Sequence, residues 1–182
     1  DTGILRLYLT AGDGTPTAPV TAPRLFALFE PHDPATIPHE QTARLHPEPV
    51  APFAHGQKTG NYWMNCAAQS AAQAAGFDHA LLSDHAGRLL SAAFGNLFFV
   101  LDGELCTPSS DLAVRRGVIR ELISQRQPVR EVTFPAARLG ETSEIFLTNS
   151  RLGVMPLHCG TITPGPVGRS LREAIRREKL VP

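Results

Sequence analysis

The tightest constraint in this sequence is the close alternation, from residue 61 onward, of helix-period stretches with short apolar runs and turn residues. Segment 61–75 is rich in Ala and Gln and stops at Gly76, a natural residue just past a helix end. Residues 80–83 form an apolar run, and Asp84-His85-Ala86-Gly87 turns the chain. A second run at 97–101 meets Asp102-Gly103, a hairpin signal. In 117–126, Val118, Ile119, Leu122 and Ile123 recur at helical spacing. Strands are expected at 129–134 and 144–148, and 167–180 reads as a closing amphipathic helix with Val167, Leu171 and Ile175 inward. Upstream, strands are expected at 4–9 and 24–30, with Gly12-Asp13-Gly14 turning the chain between them. Segment 31–57 is rich in Pro and His, lacks periodicity and reads as one long connection. Such a mixture belongs to α/β or α+β layers around one sheet system.

Charge and cysteine usage narrow the function classes. The 17 basic and 17 acidic side chains give a net charge of +0, so nothing favours electrostatic capture of nucleic acid or of an anionic membrane. No apolar run approaches the ~20 residues of a membrane span. Cys66, Cys106 and Cys159 are far apart, in no metal-ligand spacing, and fit small packing residues in a reducing, cytoplasmic setting. His79 and His85 flank a strand and a turn and do not converge as zinc ligands would, so no metal is expected. The chain opens at Asp1 with no signal-peptide pattern and is read as a piece whose native start lies upstream. Two lysines, Lys58 and Lys179, stand against fifteen arginines, so chemistry needing an amine nucleophile has two candidates. Lys179 lies in a charged C-terminal stretch. Lys58 lies between the long connection and the first helix, where Asn61 is a candidate N-cap.

Five segments then occur in order. They are Lys58-Thr59-Gly60-Asn61-Tyr62, Gly76-Phe77-Asp78-His79-Ala80-Leu81-Leu82-Ser83-Asp84, and Gly95-Asn96-Leu97-Phe98 followed by Asp102-Gly103 and Thr107-Pro108. After these come Gly117-Val118-Ile119-Arg120, and Phe146-Leu147-Thr148-Asn149-Ser150 leading to Pro156. Together they resemble the class IV aminotransferases, the fold-type IV pyridoxal-phosphate (PLP) enzymes, which include branched-chain and D-amino-acid transaminases and 4-amino-4-deoxychorismate lyase. The resemblance implies the large C-terminal domain of the D-amino-acid-aminotransferase-like α/β fold, a curved, barrel-like mixed sheet with flanking helices. It implies the tail of a small N-terminal domain and a linker over 1–55, and a large PLP-binding domain over 56–182. Lys58 would bond the cofactor aldehyde and then act as acid and base at the substrate Cα, with PLP as the electron sink. Val118 and Ile119, at a helix start, and Asn149 and Ser150, in a turn after a strand, would hold the phosphate. The side chains of Val118 and Ile119 fit helix core equally well. Tyr62 matches a tyrosine that faces the cofactor ring in some transaminases, and an aromatic in a first helical turn is as often core. The family's phosphate-binding arginine falls upstream of Asp1. Members are usually homodimers.

Ser91 departs from the family pattern. Most members set a glutamate against the pyridine nitrogen, and Ser91 occupies that position in Leu89-Leu90-Ser91-Ala92-Ala93-Phe94-Gly95-Asn96. A hydroxyl can hydrogen-bond the nitrogen but cannot hold a proton on it as a carboxylate does. Transamination needs a long-lived carbanion, whereas elimination expels a leaving group and demands less of the sink. Ser91, the Thr148-Asn149-Ser150 turn and Ile119 in place of the usual Thr therefore favour aminodeoxychorismate-lyase chemistry, which yields pyruvate and 4-aminobenzoate. An amino-acid transaminase using a 2-oxo acid is the alternative, and a non-catalytic relic of the fold is a third. Arg151 could meet a substrate carboxylate or stay solvated.

Overall fold

The computed structural model describes residues 3–15, 17, 19, 21–51 and 56–177. They fall into two compact units, Asp1–Ile37 and Pro38–Pro182. The first holds an antiparallel ribbon, β1 (Gly3–Leu9) and β2 (Leu25–Pro31), in register from Gly3↔Pro31 to Leu9↔Leu25. Its apolar residues, among them Leu7, Leu9, Leu25 and Phe29, are exposed.

The second unit is built on one sheet of eight strands: β3 (Gln41–Leu45), β4 (His79–Ser83), β5 (Leu89–Ala92), β6 (Asn96–Leu101), β7 (Glu104–Pro108), β8 (Arg130–Val132), β9 (Glu144–Asn149) and β10 (Gly153–His158). Their order is β5-β4-β3-β10-β9-β6-β7-β8. Pairings β10/β3, β3/β4 and β7/β8 are parallel, and the others are antiparallel. The sheet curls into a half-barrel: at the β5 edge, Arg88 bridges Pro135 and Leu89 N–H donates to Phe134 O (2.8 Å), just past β8 at the opposite edge. This is the curved mixed sheet that the resemblance implied.

Three helices cover the sheet: α1 (Trp63–Ala74), α2 (Val118–Arg126) and α3 (Pro166–Arg177). The interiors of β6 and β9 are buried at every position, which is why Leu97–Val100 and Ile145–Leu147 are continuously apolar rather than alternating. Ile119 and Ile123 of α2 and Leu171 and Ile175 of α3 pack with Phe98 and Phe146. Ala68 and Ala72 of α1 pack with Ala80, Leu82 and Leu90, their small side chains allowing close approach. Helix α1 ends at Gly76, whose φ of +83° suits glycine there. Its N-cap is Tyr62 rather than Asn61, and no side chain caps it. Helix α3 is anchored differently: the buried Glu144 carboxylate accepts from the N–H groups of Val167 (3.1 Å) and Gly168 (2.9 Å).

Strands β3, β5 and β10 escaped the sequence reading. Gln41–Leu45 carries only one buried residue, Ala43, so its pattern resembles a loop, and it sits inside the segment read as a connection. The compact units divide after Ile37, and β3 is a central strand of the large sheet. Pro156 lies within β10, where a residue without an N–H argues against a central strand. Strand 129–134 is shorter, at Arg130–Val132, and residues 178–180 of the closing helix lie outside the described residues. Among the described residues no helix is long and apolar enough to cross a membrane.

The β4–β5 turn carries the first testable consequence. The buried Asp84 carboxylate accepts from Ala86 N–H (3.0 Å), Arg88 N–H (2.9 Å) and Arg88 Nε (2.6 Å). Burial alone would push its acidity down, but the Arg88 guanidinium and these N–H groups hold Asp84 below the ordinary carboxylate range. Asp78, bound by Thr42 N–H and O–H (both 2.7 Å), is lowered in the same way against its own burial. A carboxyl depressed in the folded state stabilises the fold above its unfolded value, near pH 4, and loses that contribution as pH falls through the folded value. Asp84→Asn is expected to cost about 1–3 kcal/mol at pH 7 and progressively less below pH 4. Urea midpoints measured from pH 7 to pH 2 check this; a deficit that did not shrink in acid would refute it.

Candidate active site

A tight turn between β5 and β6, residues 92–95, organises the site. Ala92 N–H donates to Gly95 O (3.0 Å), and Ala93 N–H to Ala80 O (2.9 Å). From α1, Asn65 Nδ2 donates to Ala93 O (2.7 Å), so the helix that follows Lys58 is tied to the turn. Gly95 is pressed against β9: a Cβ there would lie 2.9 Å from Thr148 O.

Phe94 is at the tip of this turn. Its ring stacks on Tyr62, with centroids 6.0 Å apart and planes inclined by 29°. Lys58 Nζ sits 5.6 Å from the centroid of the same Tyr62 ring, a cation–π contact. The carbonyl of Phe94 accepts from Asn149 Nδ2 (2.9 Å), while Asn149 Oδ1 accepts from the N–H groups of Arg151 (3.0 Å) and Leu152 (2.8 Å). One turn therefore joins the Lys58–Tyr62 segment to the Asn149–Ser150 turn, and Ser91 is half-buried where β5 enters it.

Asn96, one residue past the turn, connects the start of α2. It is buried, pairs in register with Thr148, and donates through Nδ2 to Arg115 O (2.6 Å). A side chain at Gly117, the N-cap of α2, would collide with the Asn96 carboxamide, so only glycine allows this approach. No side chain caps α2. Its first N–H groups thus lie at the strand pair that leads into the Asn149 turn.

The remaining candidates divide plainly. Ile119 is 3% exposed and packs in the apolar core, so its side chain faces away from any ligand at the helix start and only its backbone N–H remains. Val118 is 68% exposed. Arg120, the last residue of that motif, is also turned inward: it donates to Pro108 O (2.9 Å) and pairs with Glu131 (3.0 Å). Burial pushes the Arg120 guanidinium down from its ordinary value, while Glu131 opposes that shift. Ser150 and Arg151 are exposed. The sequence reading gave no role to Phe94, Asn96 or Gly117 as organisers. The Gly95-Asn96 pair that ends the Ser91 segment was the available signal. It also left Thr148 unassigned; this residue is 2% exposed, and its hydroxyl has no hydrogen-bond partner.

An uncapped helix start presents backbone N–H groups of the kind that suit an anion. The model of the amino-transferase class IV family matches residues 1–158. The chain belongs to this family.

Within class IV, the probable branched-chain-amino-acid aminotransferase of Thermotoga maritima is 34% identical over 48% of this chain and 36% of that one. A Legionella pneumophila structure, provisionally described as a 4-amino-4-deoxychorismate lyase, superposes with a TM-score of 0.84 at 22% identity, over 97% of this chain and 70% of that one. At that identity the likeness shows the fold. A branched-chain amino acid aminotransferase from T.th., solved in complex with N-(5'-phosphopyridoxyl)-L-glutamate, gives a TM-score of 0.69 at 27% identity, over 75% of this chain and 51% of that one. The match spans little more than a third of the Thermotoga relative.

Proposed function

We propose that this class IV chain is the cofactor-holding part of a PLP-dependent amino-acid transaminase, acting with a 2-oxo acid acceptor. The observation that carries the reading is the single turn at 92–95, which links Lys58, through Tyr62 and Phe94, to the Asn149–Ser150 turn. PLP, when bound, would supply the electron sink that lets a proton leave the substrate Cα. Lys58 would bond the cofactor and then carry that proton. Tyr62 would face the ring. The backbone N–H groups of Val118 and Ile119, with Asn149 and Ser150, would hold the phosphate, and Arg151 would meet a substrate carboxylate. The resemblance implies a family whose members are usually homodimers, and the same assembly is proposed here. The relatives named as branched-chain aminotransferases favour the transaminase over the lyase that Ser91 first suggested.

Elimination of the aminodeoxychorismate type is kept as a second reading on one observation, the neutral Ser91 in place of a glutamate at the entry to the turn. The protein at its native length, given PLP and a panel of amino acids with 2-oxoglutarate, is expected to form the corresponding 2-oxo acids. Pyruvate released from aminodeoxychorismate, with no amino transfer, would reverse the order of the two readings. Ser91→Glu is expected to raise the transamination half-reaction about tenfold, the effect of about 1.4 kcal/mol in the barrier. Stopped-flow spectra measure this, and an unchanged rate would remove Ser91 from the ring-nitrogen position.

A further inference from the structure

Phe94 is 45% exposed at the tip of a turn, where a large apolar side chain contributes little to the core. Its contacts nonetheless run two ways. The ring stacks on Tyr62, over which Lys58 Nζ lies at 5.6 Å, and the carbonyl holds Asn149 at 2.9 Å. The turn itself is pinned to α1 through Asn65 and to β9 through the close approach of Gly95. The backbone half of this link survives any substitution at position 94, whereas the ring half depends on an aromatic side chain.

We propose that Phe94 is a positioning residue, which holds the Tyr62 ring against the Lys58 amine and so sets that amine relative to the Asn149–Ser150 turn. This rests on the reading of Lys58 as the reacting amine. Phe94 would touch neither proton nor leaving group; it acts through Tyr62. Without the Phe94 ring, Tyr62 loses its stacking partner and the Lys58 ammonium loses a fixed ring face that shields it on one side.

The chain has only Lys58 and Lys179, so the proposal can be read without turnover. The cofactor-free protein is treated with trinitrobenzenesulfonate, and modification of each lysine is followed by mass spectrometry. Phe94→Ala and Phe94→Leu are expected to speed labelling of Lys58 about two- to fivefold, the size of one exposed cation–π contact. Lys179 should keep its rate, and Phe94→Tyr should behave as wild type. Phe94→Leu retains apolar bulk, so it gives the result even if the alanine variant folds poorly. Equal Lys58 rates in all four proteins would overturn the proposal. So would a rise at both lysines together with a lower thermal midpoint, which would indicate general loosening. A separate arm treats wild type with pyridoxal phosphate and borohydride: failure to fix the cofactor on Lys58 would overturn the functional reading, while the sulfonate rates still report whether Phe94 positions the amine.

Discussion

Replacing Lys58 by alanine is expected to abolish cofactor attachment and to lower amino transfer by at least about 10²–10⁴-fold, the contribution of a positioned proton-transfer group alone. Wild type incubated with PLP should show a visible band that borohydride removes, and the fixed cofactor should map to Lys58. The variant should show neither. Lys58→Arg should fail equally, because a guanidinium stays protonated and cannot act as the nucleophile. The fold should tolerate both changes. Lys58 is exposed and precedes α1, so urea midpoints should move little. A variant that still binds the cofactor covalently and turns over at the wild-type rate would remove the proposed chemistry, though not the family.

The largest stability effect is expected at Phe146. It is 0% exposed, and its ring lies 5.4 Å from that of Phe98 with the planes within 3° of parallel. Ile119, Ile123, Leu171 and Ile175 close over the pair from α2 and α3, and a Cβ at Gly168 would lie only 3.1 Å from the Phe146 ring. Such packing cannot collapse to fill a cavity. Phe146→Ala should therefore cost about 3–5 kcal/mol, read from urea unfolding. The loss should reach the site, since Phe146 is two residues from Thr148 on the strand that leads into Asn149. Val118→Ala, at a side chain 68% exposed, should change stability by no more than about 0.5 kcal/mol. A cost below about 1 kcal/mol at Phe146 would mean that the two rings do not anchor the core.

The parts of the fold legible in sequence were those in which a local pattern coincided with burial. Helices α1 and α2 and strands β4, β6 and β9 carry apolar periodicity or unbroken apolar runs, and their ends carry Gly76 or Asp102-Gly103. Strand β3 was illegible because its polar residues are in a strand only by pairing with β4 and β10, residues far away in sequence. Pro156 concealed β10 for the same reason: what makes it a strand is its partner, not its composition.

The site divides along the same line. Lys58, Tyr62, Ser91, Asn149 and Ser150 became candidates through the resemblance, which rests on residue type and order in short motifs. Which side chains face the site was decided by the tertiary structure. It buried Ile119 among Phe98 and Phe146, turned Arg120 toward Pro108, stacked the Phe94 ring on Tyr62 and set the Phe94 carbonyl against Asn149. Residue identity determines which bonds a group can make. Direction is set by packing between segments dozens of residues apart, and a linear pattern carries no record of it.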